Sequence, residues 1–442
     1  MFTKSLLVVA LFCAVNLINA DGNSKVVCHY DSKSFIREGL GKLTSADLEP
    51  ALSFCTHLVY GFAGINSADN KLKSLDVGLD LDQGKGNYRI ITQLKRKYPG
   101  LKVLLSVGGG VDIDPDADTN KYLTLLESMG GRQAFINTAH SLIKTYDFDG
   151  LDLAWQFPPN KPKKIRSSIG SLWSGFKHSI GIGNNPVDEK ADEHKEEFTA
   201  FVREIKSAFR PDNYILSLTV LPNVNSTYFF DIPAIINNLD YVTLPSFDFQ
   251  TPARNHKEAD YSAPLYELNE RIKESNVNYQ VLYWLAQHAP ASKLIVGIPT
   301  FGRTWKLESD ATQTGVPPIL GITEAGQEGL QTKTPGLLSY PEICAKLPNP
   351  SNNNLKGEFA PLRKVGDPTK RFGTYAFRLP DSDGNFGLWV SYEDPDTAGN
   401  KAGYVRAKGL GGISINDLSL DDFRGTCSGD KYPILRAAKY RL

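Results

Sequence analysis

Residues 148–158, FDGLDLAWQFP, hold the polar groups best spaced for chemistry. The carboxylates of Asp149 and Asp152 and the carboxamide of Gln156 are set among Phe148, Leu151, Leu153 and Trp155, and the run ends at Pro158. Such a pattern reads as a buried strand whose C-terminal tip carries polar side chains. A carboxyl group at that tip can act as a general acid, worth about 10²- to 10⁴-fold in rate, if it holds a transferable proton at working pH. Gln156 lies at that tip; its amide offers N–H donors and a carbonyl acceptor but no proton to transfer. Ala154, two residues earlier, supplies no polar group at all. The run has the outline of a catalytic strand without its acid.

The elements that must position this strand repeat a simple rhythm. Apolar strands are expected at residues 25–30, 56–64, 102–110, 148–158, 214–220, 239–249, 293–303 and 411–416. Helical stretches fall between most of them, near 44–54, 87–98, 132–145, 188–209 and 279–288, with a short helix between the fifth and sixth strands. In the fourth of these, Phe198, Phe201, Val202, Ile205 and Phe209 share one face. Strands that are apolar throughout and alternate with helices indicate a parallel sheet covered on both faces. Eight such units favour a (β/α)8 TIM barrel over an open doubly wound sheet.

Residues 304–388 break the rhythm with Gly, Pro, Thr and Asn and with short aromatic strands such as RFGTYAFRL at 371–379. A connection of that length must be structured. It reads as a small α+β domain inserted between strand seven and its helix, leaving 21–303 and 389–442 to the barrel.

Residues 1–20, MFTKSLLVVALFCAVNLINA, combine an early Lys4, an apolar core and a small residue at Ala20, which is the pattern of a secretory signal peptide. The apolar run is short for a membrane span, so no membrane insertion is expected. Lys plus Arg total 49 against 49 Asp plus Glu, which gives no general drive towards nucleic acid. With Cys13 inside the leader, Cys28, Cys55, Cys344 and Cys427 remain; in a secreted chain they imply two disulfides with three possible connectivities. No close Cys/His spacing suits a metal, and no strand-linked GxGxxG suits a nucleotide cofactor. Asn225-Ser226-Thr227 is an N-glycosylation sequon after a predicted strand.

FDGLDLAWQ resembles DGxDxDxE, the strand-four signature of chitinases in glycoside hydrolase family 18. Asp149, Gly150 and Asp152 match, while Ala154 and Gln156 replace the third Asp and the catalytic Glu. The resemblance implies an ancestral substrate-assisted mechanism, in which the sugar's acetamido oxygen attacks the anomeric carbon once the Glu has protonated the glycosidic oxygen. Both the proton donor and its neighbouring carboxylate are missing here. Other strand ends depart as well. Phe247-Asp248, after Pro245, stands where the family has Tyr-Asp after Met. GIPTFGR resembles GIPxYGR with Phe301 for Tyr and Arg303 kept, and GGISINDLSLDDF resembles GGxMxWxxDxDDF with Asn416 for the floor Trp. The resemblance covers nearly the whole chain beyond the leader and also implies pairing of Cys28 with Cys55 and of Cys344 with Cys427.

Two readings of the retained groups follow. Asp149, Asp152 and Asp248 persist as hydrogen-bonded groups inside the barrel mouth, with Gln156 joining them; or Asp152, Gln156, Asp248, Arg303 and Asn416 form a residual sugar pocket. The stretch after the motif, residues 158–187, is longer than usual for the family. It carries Lys161, Lys163, Lys164, Arg166 and Lys177 with Trp173 and Phe176 and no acidic residue, a composition suited to a protein partner or an acidic glycan. The combination most resembles the insect imaginal disc growth factors. That resemblance implies a monomeric, extracellular, non-enzymatic protein acting through an unidentified receptor or matrix component. Its expected roles are cell proliferation and motility, cooperation with insulin-type signals, and matrix or cuticle support. The alternative is an inactive, weakly oligosaccharide-binding lectin.

Overall fold

The computed structural model describes residues 24–114, 120–162, 187–269, 271–308 and 324–442, and the backbone of 319–320. The expected leader at 1–20 and Lys163, Lys164, Arg166, Trp173, Phe176 and Lys177 of the basic stretch lie outside the described residues.

Eight parallel strands close on themselves: β1 (Lys25–Asp31), β2 (His57–Ile65), β3 (Lys102–Gly108), β4 (Gly150–Ala154), β5 (Ile215–Thr219), β6 (Tyr241–Leu244), β7 (Leu294–Pro299) and β8 (Gly412–Asn416). Closure is made by β1, which pairs with β8 at Lys25↔Gly412 and with β2 at Val27↔His57. The predicted fold class, a (β/α)8 TIM barrel, is therefore the observed one. Leu72–Ser74 adds an antiparallel strand to the end of β2.

Period-two alternation sorts β4 into two faces. Leu151, Leu153 and Trp155 turn outward, and the Trp155 indole packs on Tyr122, Phe135 and Phe201 while donating to the Tyr122 carbonyl at 3.1 Å. Asp152, Ala154 and Gln156 consequently point to the interior. Inside the barrel, Val27, Val59, Leu104, Tyr241 and Ile295 form an apolar layer towards the N-terminal end. Above them sits a polar layer containing His29, Ser106, Asp152, Ser217 and Thr219.

The flanking helices form where the sequence places apolar faces and caps. Ala191–Phe209 buries Phe198, Phe201, Val202, Ile205 and Phe209, and Met129–Tyr146 begins with Ser128 accepting from Gly131 N. Among the described residues, no helix is long and apolar enough to cross a membrane.

The inserted unit is a six-stranded sheet in which Phe301–Leu307 pairs antiparallel with both Gly387–Tyr392 and Leu337–Ser339. The expected seventh strand ran to 303, but the chain changes sheets around Thr300: Arg303 already pairs with Ser391 and Leu337. The return strand Gly387–Tyr392 completes the ladder with Thr374–Arg378. The helix Pro395–Ala407 then leads into β8. Two disulfides are formed, Cys28–Cys55 and Cys344–Cys427, each with a Cα–Cα distance of 5.9 Å. The second ties the insert's helix Tyr340–Lys346 to the segment after β8.

Candidate functional site

The C-terminal ends of β3 and β4 approach closely because β3 ends in glycines. Gly108, Gly109 and Gly110 all have positive φ, and a Cβ on Gly108 would lie 2.4 Å from the Ala154 carbonyl oxygen. Gly109 N instead donates to that oxygen at 2.9 Å. This close approach carries the chain after β3 across the tip of β4, where it meets Gln156.

Gln156 is held by one residue from both sides of its amide. Its Nε2 donates to the Asp112 carbonyl at 3.0 Å, and its Oε1 accepts from Asp112 N at 3.0 Å. Asn120 Nδ2 donates to the Gln156 carbonyl at 2.8 Å. Asp112 is fixed in turn: its carboxylate accepts from Ile65 N (2.8 Å) and Tyr122 OH (2.7 Å) and pairs with Lys121 Nζ at 2.6 Å. Lys121 also reaches Asp114 at 3.1 Å, and both it and Asp112 are buried. A glutamine fits this clamp because it presents a donor and an acceptor at once; an ionised carboxylate would set a lone pair against the Asp112 carbonyl.

Asp152 is enclosed by hydroxyls. Ser106 and Ser217 donate at 2.7 Å and Thr219 at 3.0 Å to a carboxylate with 1% exposure. Burial pulls the nearby His29 imidazole below its usual range, the Asp152 charge opposing. Ala154 is fully buried and adds no polar atom.

Asp149 lies elsewhere. It precedes β4 at the opposite, N-terminal rim, where its carboxylate accepts from Val103 N at 2.8 Å and meets Lys95 at 3.2 Å. The expectation that it sits in the barrel mouth is corrected: it starts the strand whose far end carries Gln156, so strand length separates the two.

Asp248, in the left-handed region at φ 57°, is paired bidentately by Arg303, with Nε at 2.7 Å and Nη2 at 2.6 Å. Arg303 belongs to the insert's strand, so this pair joins the loop after β6 to the second sheet. Phe247 and Phe301 meet edge to face at 5.7 Å, and the Arg303 guanidinium lies 4.9 Å from the Phe301 ring centre. Asn416 Oδ1 accepts from Ser414 Oγ at 2.8 Å within its own strand.

The five expected ligand-binding residues are held by different partners. Asp248 and Arg303 satisfy each other, while Asp152, Gln156 and Asn416 each have separate partners. A cavity of about 470 Å³ opens beside Gln156, lined also by Asp112, Asn120, Lys121, Phe157 and Pro158. Of the five, only Gln156 lines it. Sequence reasoning missed Asp112, Asn120 and Lys121; the signal was the Gly-rich end of β3 running into Val-Asp-Ile-Asp.

Residues 25–421 match the model of "Glycosyl hydrolases family 18". The chain is 65% identical over 421 residues to chitinase-like protein Idgf4 of Glossina morsitans morsitans, covering 95% of this chain and 94% of that one. It is 60% identical to imaginal disk growth factor 6 of Drosophila melanogaster, covering 94% and 93%. Among solved structures, human YKL-39, described as a pseudo-chitinase with retained chitooligosaccharide binding properties, superposes with a TM-score of 0.71 at 26% identity, over 95% of this chain and 99% of that one. Family, fold and closely related sequences agree: the chain belongs to glycosyl hydrolase family 18, as a chitinase-like protein of the imaginal disc growth factor type.

Proposed function

We propose that this protein is a secreted, non-enzymatic growth factor built on a chitinase barrel. It promotes proliferation and motility of cells, cooperates with insulin-type signalling and supports extracellular matrix or cuticle. The observation that carries the non-enzymatic half is the engagement of Gln156 by Asp112. The residue at the acid position has no transferable proton, and both polar atoms of its amide are committed to a backbone clamp. Ala154 leaves no carboxylate to polarise an acetamido group. The growth-factor half draws support from the naming of close relatives. The leader at 1–20 and two disulfides fit an oxidising, extracellular setting. Asn225, half-buried, caps the short helix Ser226–Phe229. The partner is a receptor or matrix component engaged by the monomer. Purified protein free of contaminating mitogens is expected to raise proliferation of insect cells in low serum; no response across several responsive lines would refute the signalling role.

A lectin reading has one observation of its own, the open cavity beside Gln156. The YKL-39 precedent shows that a pseudo-chitinase can keep sugar binding. Here Asn416, Phe247 and Phe301 replace an indole and two phenols. Stacking is worth about 0.5 to 1.5 kcal/mol beyond area burial, and each lost hydrogen bond about as much. Binding of chitin oligomers is accordingly weak, and calorimetry that detected no heat at millimolar ligand would remove this reading.

A further inference from the structure

A second cavity lies on the other side of the β5 loop. Leu221, Pro222 and Val224 line both it and the cavity beside Gln156, and behind them residues 160–162, residues 245–255 and 272–275, and the helix Val277–Ala286 border about 330 Å³. That volume suits a mono- or disaccharide.

Its charge is unbalanced. Arg254 donates through Nη2 to the Asn160 carbonyl at 2.6 Å, but its Nε is buried without a partner. Among the described residues it makes no ion pair; the carboxylate that acts on it, Asp248, is already held at both oxygens by Arg303. Burial pulls the Arg254 ionisation down, the Asp248 charge opposing. Lys161 adds a second cation, and Ser246, 3% exposed, has a hydroxyl with no partner. Buried polar groups ordinarily find partners, so these mark where a ligand atom belongs. A guanidinium with free N–H groups is matched by a planar or tetrahedral oxyanion.

Two tyrosines also line the cavity. Tyr279 and Tyr283, four apart on one helix, stand together on one face. They offer ring faces for a pyranose and phenols for its hydroxyls. Glu274, exposed, is the acidic member of the lining and lies beside Tyr279.

We propose that this cavity binds an acidic saccharide, its carboxylate or sulfate on Arg254 and Lys161 and its ring against Tyr279 and Tyr283. The cavity lies across the β5 loop from the one beside Gln156, and binding there is independent of whether Gln156 permits catalysis. It gives the protein a route to anionic extracellular glycans.

Calorimetry on the full protein tests it with three probes: a sulfated uronic disaccharide, its unsulfated carboxylate counterpart and neutral chitobiose. Binding of either acidic probe is expected, weakening as salt rises from 50 to 300 mM, values set by the assay from about 14 to 6 Å of Debye screening, with chitobiose not bound. Arg254→Gln should weaken binding at least about tenfold, a loss of 1.4 kcal/mol. Lys161→Gln, an exposed position, should weaken it several-fold. Equal binding of the neutral sugar, no binding of either acidic probe, or full affinity retained in Lys161→Gln would overturn the proposal.

Discussion

Gln156 and Asp112 form a closed amide-to-backbone pair, with two hydrogen bonds of 3.0 Å running in opposite directions. Because Asp112 is itself anchored by Lys121, Tyr122 and Ile65 N, the amide at the tip of β4 has become part of the barrel's support. Truncating it leaves Asp112 N and O without these partners. Gln156→Ala should cost about 1 to 3 kcal/mol, read as a lower midpoint in urea denaturation.

Gln156→Glu tests the same pair by pH. One oxygen of the new carboxyl can accept from Asp112 N, but the other faces the Asp112 carbonyl and must be protonated to donate to it. The folded state therefore raises the carboxyl pKa above its unfolded value, so the stabilising contribution is present at low pH and lost as pH rises. Denaturation at pH 4.5 and pH 8 should show a variant near wild type in acid and weaker in base, each reading relative to ordinary carboxyl ionisation near 4.3. An equal deficit at both values would contradict the clamp.

The Arg303–Asp248 pair joins barrel and insert, with side-chain exposures of 21% and 14%. Arg303→Ala strands a largely buried carboxylate and should destabilise by about 3 kcal/mol. Asp248→Asn, which leaves a neutral partner, should cost less, and the double variant should recover part of the Arg303→Ala loss in a double-mutant cycle.

His57, at the N-terminal end of the barrel, is pulled down to about 4 by burial and then by Lys25 and Lys102, with Asp240 opposing. Its folded pKa lies below the unfolded value of about 6.5, so the neutral ring is favoured by folding. The contribution is present above the unfolded value and lost as pH falls towards 4, with a ceiling of about 3 kcal/mol. His57→Phe keeps the edge-to-face contact with Tyr241 and should flatten stability across this window relative to wild type. Comparing the two proteins cancels the opposite contributions of Asp417 and Asp421, whose carboxyls burial raises to about 6 and about 7.

Much of this architecture is legible in the sequence, for physical reasons. Buried parallel strands are apolar on both faces, so all eight barrel strands stand out, and Ala191–Phe209 declares itself through five inward residues at helical spacing. The change of sheet at Thr300 was hidden because the strands Leu294–Pro299 and Phe301–Leu307 follow one another with a single residue between them. The substitutions at Ala154, Gln156, Phe247, Phe301 and Asn416 could be read one by one. Their partners could not: Asp112 lies 44 residues from Gln156, and only the fold brings them together. Asp149 misled because adjacency in a motif says nothing about which end of a strand a residue occupies.

The most direct measurement is hydrolysis of a fluorogenic chitooligosaccharide by the wild-type protein, with Asp152→Ala as the background control. A barrel with no proton donor at Gln156 and no carboxylate at Ala154 should release fluorophore no faster than Asp152→Ala, and Gln156→Glu with Ala154→Asp should restore none, since Phe247, Phe301 and Asn416 remain. Turnover by the wild type that disappears in Asp152→Ala would contradict the non-enzymatic reading outright.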